Sequence, residues 1–196
     1  MSIEAQKPVK HQSLSEEQTN FVEIPESVSV TVSGSKVSVE GPLGVIEKDF
    51  SHMPVIISLA ENRVAVSTSL KGRRGIAMIG TASKHIKNMV KGVLSKYKVK
   101  MIAVHSHFPI TMKVLQDNFL IDNFIGERYP RVVKIPRGVE VKVAGDNLEI
   151  SGVDIEKVTQ FAGSVENATR ISRKDQRIFL DGIYAVSKGF EDELGE

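Results

Sequence analysis

The stretch IPESVSVTVSGSKVSVEG, residues 24–41, returns 111 residues later as IPRGVEVKVAGDNLEISG, residues 135–152. In the first copy Val28, Val30 and Val32 alternate with Ser29 and Thr31. After Ser33-Gly34-Ser35 the alternation resumes, with Val37 and Val39 set against Ser38 and Glu40. Successive side chains of a strand face opposite ways, so this spacing predicts a hairpin with one buried face. In the second copy Ile135-Pro136, Val139, Val141, Val143, the turn Gly145-Asp146-Asn147, Leu148-Glu149-Ile150 and Gly152 stand at the same offset. A unit repeated at fixed spacing points to an internal duplication.

Outward from the hairpins, residues 55–59 and 63–68 are further strand candidates, joined at Glu61-Asn62. A helix is expected over 75–95, where Ile76, Ile79, Ile86, Met89, Val90, Val93 and Leu94 recur three and four residues apart. Strands resume at 97–105, 110–115 and 119–124. A second helix is expected over 154–169, opened by Asp154, with Ile155, Val158, Phe161, Ala162, Val165 and Ala168 as its apolar stripe. Strand clusters with one helix each imply an α+β fold: two duplicated small domains, each a mostly antiparallel sheet covered on one face by a helix. The expected division is a polar, mobile N-terminal tail at 1–23, a first domain at 24–95, a second at 96–187 and an acidic C-terminal tail at 188–196.

Composition narrows the function. The chain has 196 residues, 41% hydrophobic and 26% charged, which suits one or two folded domains. No apolar run approaches the roughly 18 residues needed to span a bilayer, and the first 23 residues lack the apolar core of a secretion signal. The absence of Cys removes disulfides, thiolate metal sites and cysteine nucleophiles. The net charge of +2 hides an uneven distribution: residues 1–23 carry −2 and the last six −4, leaving +8 on the body. Residues 71–101 hold nine basic side chains and no acid. Such a block is the electrostatic footprint of a polyanion binder, although a solvated basic face would look similar.

Few motifs carry catalytic chemistry. In a strand, His105 and His107 would share a face, but nothing up to Gln116 supplies a third ligand, so no metal site is expected. Gly80-Thr81-Ala82 fails the P-loop pattern, and neither a nucleophile elbow nor a dinucleotide fingerprint occurs. Asn167-Ala168-Thr169 is a chance glycosylation triplet on a helix. No catalytic residue, cofactor or small-molecule substrate is expected. The basic stretches are more informative. Lys84, Lys87 and Lys91 line one face of the first helix, opposite its apolar stripe. Arg170, Arg173, Lys174 and Arg177 crowd the segment before Phe179-Leu180-Asp181-Gly182-Ile183-Tyr184. Arginine offers a planar fork to phosphate, glycine lets the backbone come close to a ribose or phosphate, and tyrosine stacks or donates a hydrogen bond.

Residues 173–177 together with Phe179-Leu180-Asp181-Gly182-Ile183-Tyr184 closely resemble the C-terminal signature of the large-subunit ribosomal protein six family, whose eukaryotic counterpart is large-subunit protein nine. Gly80-Thr81 and His85 to Val93 look like that family's first-domain helix. His107-Phe108-Pro109-Ile110 and Asn123-Phe124-Ile125-Gly126-Glu127-Arg128 look like its archaeal and eukaryotic branch. The resemblance runs from about Ile24 to Gly189. Two departures stand out: Ser83 replaces a residue that is basic in many relatives, and Leu180 replaces a frequent Gln, in keeping with the archaeal and eukaryotic branch. The resemblance implies a duplicated α+β fold and a cytoplasmic scaffolding protein of the large subunit. It further implies contact with large-subunit rRNA near the sarcin–ricin loop and stalk base, with neighbouring ribosomal proteins there, and neither enzymatic activity nor a membrane. Carried over, it makes Arg170, Arg173, Lys174, Arg177, Gly182 and Tyr184 the main RNA contacts, with Lys84, Lys87 and Lys91 as a second set. The alternatives are a free-standing RNA-binding protein using the same surfaces and a small metalloenzyme built on His105 and His107.

Overall fold

The computed structural model describes residues 19–60, 62–106, 108–171, 175 and 178–194. Every strand pairing among them is antiparallel. The first hairpin is β2 (Ser29–Ser33) and β3 (Lys36–Gly41), preceded by β1 (Thr19–Glu23) and followed by β4 (Gly44–Asp49), β5 (Ile56–Ala60) and β6 (Arg63–Ser67). These strands divide into two sheets, β2-β3-β4 and β1-β6-β5. Helix α1 (Arg73–Leu94) packs its stripe on both, except for Ile76 and Leu94 of the expected stripe, which are exposed. The first core forms where Ile79, Ile86, Met89, Val90 and Val93 of α1 meet Val22, Val30, Val39, Phe50, Val64 and Val66.

The second half contains β7 (Tyr97–Val104), β8 (Thr111–Leu115), β9 (Asn118–Asp122), β10 (Arg131–Lys134), β11 (Val139–Ala144), β12 (Asn147–Gly152), α2 (Ile155–Ala168) and β13 (Gly182–Phe190). Its sheets are β11-β12-β7-β13 and β10-β9-β8. A separate core gathers Val99, Met101, Phe119, Ile121, Leu148, Ile150, Val158, Phe161, Val165 and Ile183.

The duplication is visible in the pairing. Val30 faces Val39 in the first hairpin, and Val141 faces Ile150 in the second, at the 111-residue offset. Gly34 and Gly145 open the two turns at φ 63° and 60°, the left-handed conformation that a two-residue hairpin loop with glycine first requires. The remaining strands come from different directions along the chain. Strand β1 pairs with β6, from the hairpin that follows, whereas β10, its counterpart by offset, pairs with β9, from the hairpin that precedes it. Duplication at the central hairpin therefore coexists with a rearranged chain order around it.

Both expected tail boundaries are displaced. Residues 19–23, assigned from sequence to the polar tail, form β1, and its Val22 is 1% exposed against β6. At the other end β13 runs through Phe190, which is buried edge-on against Tyr97 at 5.1 Å, and a short turn of helix, α3 (Glu191–Leu194), follows it. In each case one or two buried side chains amid polar neighbours decide the outcome, a signal too sparse for periodicity to register. No helix among the described residues is long and apolar enough to cross a membrane.

The domains meet closely. Ser95 and Lys96 alone separate α1 from β7. Val153 packs on the first core, and its carbonyl oxygen lies 2.2 Å from where a Cβ on Gly92 would sit. Lys48 of β4 and His85 of α1 both reach the Glu156 carboxylate on α2, with His85 Nδ1 at 2.7 Å.

Candidate nucleic-acid interface

Of the C-terminal candidates, Arg170, Gly182 and Tyr184 lie where α2 ends. Helix α2 is capped at its start by Asp154, whose carboxylate accepts from the Glu156 N–H at 2.9 Å. At its end Thr169 Oγ1 donates to the carbonyls of Val165 and Glu166 and accepts from the Ile183 N–H at 3.1 Å, tying the helix to β13. Arg131 of β10 reinforces this end. It donates to the Ala168 carbonyl at 2.5 Å, bridges to Glu127 and lies 4.2 Å over the Phe124 ring. The Arg131 guanidinium holds the Glu127 carboxyl below the usual carboxylate range. The sequence does not single out Arg131 or Thr169. The contacts that matter here, Arg131 to the Ala168 carbonyl and the Ile183 N–H to Thr169, span 37 and 14 residues, beyond any local pattern.

Between α2 and β13 opens a groove of about 470 Å³ lined by Glu166, Asn167, Thr169, Arg170, Phe179, Leu180 and Tyr184. Arg170 is exposed, so a guanidinium and an aromatic ring face solvent on one surface, together with apolar Leu180. That pairing of chemistry suits a nucleic acid, whose phosphates take the cation and whose bases take the ring. Gly182 plays a different part from the one its sequence suggests. It is buried, and a Cβ there would meet the Tyr184 ring at 2.9 Å. Its lack of a side chain seats that ring, and the Tyr184 hydroxyl donates to the Leu180 carbonyl at 3.2 Å. Asp181 beside it is buried and accepts from the Ser106 N–H at 2.9 Å, fixing the start of β13. Arg173, Lys174 and Arg177 lie outside the described residues.

The first-domain candidates occupy a separate surface. Lys84, Lys87 and Lys91 are all exposed along α1. Lys87 and Lys91 line a second groove of about 430 Å³ with Phe21, Val22 and Glu23. Ser83, by contrast, lies on the buried side of α1, so it offers nothing to a ligand on the lysine face. The acid-free block at 71–101 is not free of acids in space. Lys91 pairs with Glu193 at 3.0 Å, Lys96 with Glu140 at 2.9 Å, and Lys98 with Glu191 at 2.7 Å. Among the described residues no three His, Asp or Glu side chains converge as a metal site would require. His105 approaches Asp146 at 3.8 Å, and His107 lies outside the described residues.

Comparison with known proteins matches the model of the family described as ribosomal protein L6 to residues 24–96 and again to residues 108–182, one segment in each domain. Similar proteins include the large ribosomal subunit protein uL6 of Ignicoccus hospitalis, 46% identical over 173 residues, with 86% of this chain and 93% of that one covered. The uL6 of Desulfurococcus amylolyticus is 47% identical over 171 residues, with 86% and 93% covered. That of Methanobrevibacter smithii is 42% identical over 167 residues, with 85% and 94% covered. The archaeal branch expected from Phe108-Pro109 and Leu180 agrees with these organisms. Family segments on both hairpin-bearing domains, and identity above 40% across nearly the full length of such relatives, lead to one conclusion: the chain belongs to the ribosomal protein L6 family, a family of ribosomal proteins and not of enzymes.

Proposed function

We propose that this protein is a cytoplasmic structural constituent of the large ribosomal subunit whose second domain binds large-subunit rRNA. The proposed place is near the translation-factor-binding region, around the sarcin–ricin loop and stalk base, beside neighbouring ribosomal proteins. The observation that carries the reading is the groove at the end of α2, where exposed Arg170 and the Tyr184 ring share one surface in a chain of the L6 family. Arg173, Lys174 and Arg177 follow Arg170 closely in sequence and extend its positive charge. Gly182 contributes by seating Tyr184. Lys84, Lys87 and Lys91 add a second set of phosphate contacts.

The mechanism is neutralisation and shape. Each cation placed on a phosphate releases counterions and lowers the repulsion between RNA helices. Phosphate contacts fix position, and a stacked ring adds an anchor that salt does not screen. The two-domain body then holds the RNA helices in one arrangement. No bond is made or broken.

Co-sedimentation tests the reading. The tagged chain is expected to travel with large subunits through a high-salt wash. Release at the wash, with retained affinity for isolated RNA, would instead support a free-standing RNA-binding protein.

A further inference from the structure

The two ends of the charge distribution meet in space. Strand β13 carries the chain past Tyr97, and the buried Phe190 pins its end. Beyond it the Glu191 N–H donates to the Lys96 carbonyl at 2.9 Å, and the Asp192 N–H reaches Ser95 Oγ at 3.4 Å. The acidic side chains thereby land on the lysines. Glu193 Oε1 lies 3.0 Å from Lys91 Nζ, and Glu191 Oε1 lies 2.7 Å from Lys98 Nζ, which also meets Glu149 of β12 at 3.5 Å. Lys91 is also 5.4 Å over the Phe190 ring. Lys91 holds the Glu193 carboxyl below its usual range, with Lys84 adding to the field, and Lys98 does the same for Glu191.

Resting on the RNA-binding reading above, we propose that Lys91 and Lys98, with neighbouring Lys84 and Lys87, form a polyanion-binding surface that the chain's own segment Glu191–Glu193 occupies and gates. The segment places carboxylates where RNA phosphates would sit. Exposed ion pairs are weak and screened by salt, so they add little to folding and yield readily to a phosphate backbone. In the free protein they lower the local positive potential, which disfavours adventitious polyanions. A polyanion that reaches Lys91 and Lys98 displaces the carboxylates. Because Phe190 stays anchored in the core, the segment remains tethered beside the lysines and covers them again on release.

The test measures binding of a short labelled poly(U) across a salt series. Three forms of the full-length protein are compared: wild type, Glu191→Gln/Glu193→Gln, and the charge-matched control Glu26→Gln/Asp117→Asn. The gate predicts that the first variant binds about tenfold tighter near 0.1 M salt. Its slope of log affinity against log salt should steepen by about 0.7, one phosphate of a single strand at the freed Lys91, because Lys98 keeps Glu149 at 3.5 Å. The control should shift much less. Adding Lys91→Ala/Lys98→Ala to the first variant should cancel its gain. Equal gains in variant and control, or a gain that survives loss of the two lysines, would overturn the gate and leave RNA binding standing. No binding by any form at low salt would overturn the RNA-binding reading and the gate together.

Discussion

Glycine does opposite work at two positions of the same helix. Gly92 brings α1 against the second domain, and a Cβ there would sit 2.2 Å from the Val153 carbonyl oxygen, a backbone atom with little freedom to retreat. Gly80 on α1 has open space around it. Alanine is the better helix former by about 1 kcal/mol, so Gly80→Ala is expected to raise the chemical unfolding midpoint by about that stability. At Gly92 the clash outweighs the same gain, and Gly92→Ala should destabilise by about 1–3 kcal/mol. The duplicated pair Gly41 and Gly152 follows the Gly92 logic, since a Cβ at either would press on a helix valine, Val93 or Val158, at 2.7 and 2.8 Å. The recurrence of these glycines is legible in the sequence. The atoms that require them are not, because Val153 lies 61 residues from Gly92.

Among the elements, the charged cluster between α1, β4 and α2 makes stability depend on pH. Burial raises the pKa of Glu156, but hydrogen bonding and charge from Lys48 and His85 prevail, so its carboxyl lies below the ordinary carboxylate value. A depressed carboxylate stabilises the fold at pH values above its unfolded pKa, and that contribution fades as pH falls through the folded value. Wild type should therefore exceed Glu156→Gln at neutral pH by about 0.5–1 kcal/mol, a figure discounted because Glu156 is half exposed. The difference should hold down to about pH 5 and vanish in stronger acid, as denaturant titrations would show. The chain ends give a second prediction. Removing residues 191–196 takes away exposed ion pairs and should barely move the thermal midpoint. Removing residues 188–196 also extracts Phe190 from the core and should lower stability by about 3 kcal/mol or more. An equal response to both truncations would mean that Phe190 is not the anchor. The paired hairpins and both helices were legible because their apolar positions repeat at the strand or helix period. Strands β1, β4 and β10 were not. Each buries one valine or isoleucine beside an exposed apolar neighbour, Val22 next to Phe21, Ile46 next to Val45 and Val133 next to Val132, which breaks the alternation.

For the whole molecule, charge, fold and family support the proposed role, in which the anchor lies on the second domain. The basic block and the Arg-rich segment were visible in the sequence as polyanion footprints. The separation of Arg170 from the α1 lysines, and the carboxylates that return to Lys91 and Lys98, depend on folding across about a hundred residues. Lys91 and Glu193 are 102 positions apart. The anchor claim separates cleanly from bulk electrostatics. Arg173→Glu/Arg177→Glu and Lys84→Glu/Lys87→Glu alter the net charge equally, yet only the arginine pair adjoins Tyr184 and its groove in sequence. The decisive measurement is quantitative mass spectrometry of salt-washed large subunits from cells expressing each tagged double variant beside wild type. The account predicts that the arginine variant is excluded from subunits while the lysine variant is incorporated at a substantial fraction of the wild-type level. Equal exclusion of both would contradict it and make the first-domain helix an equal RNA contact.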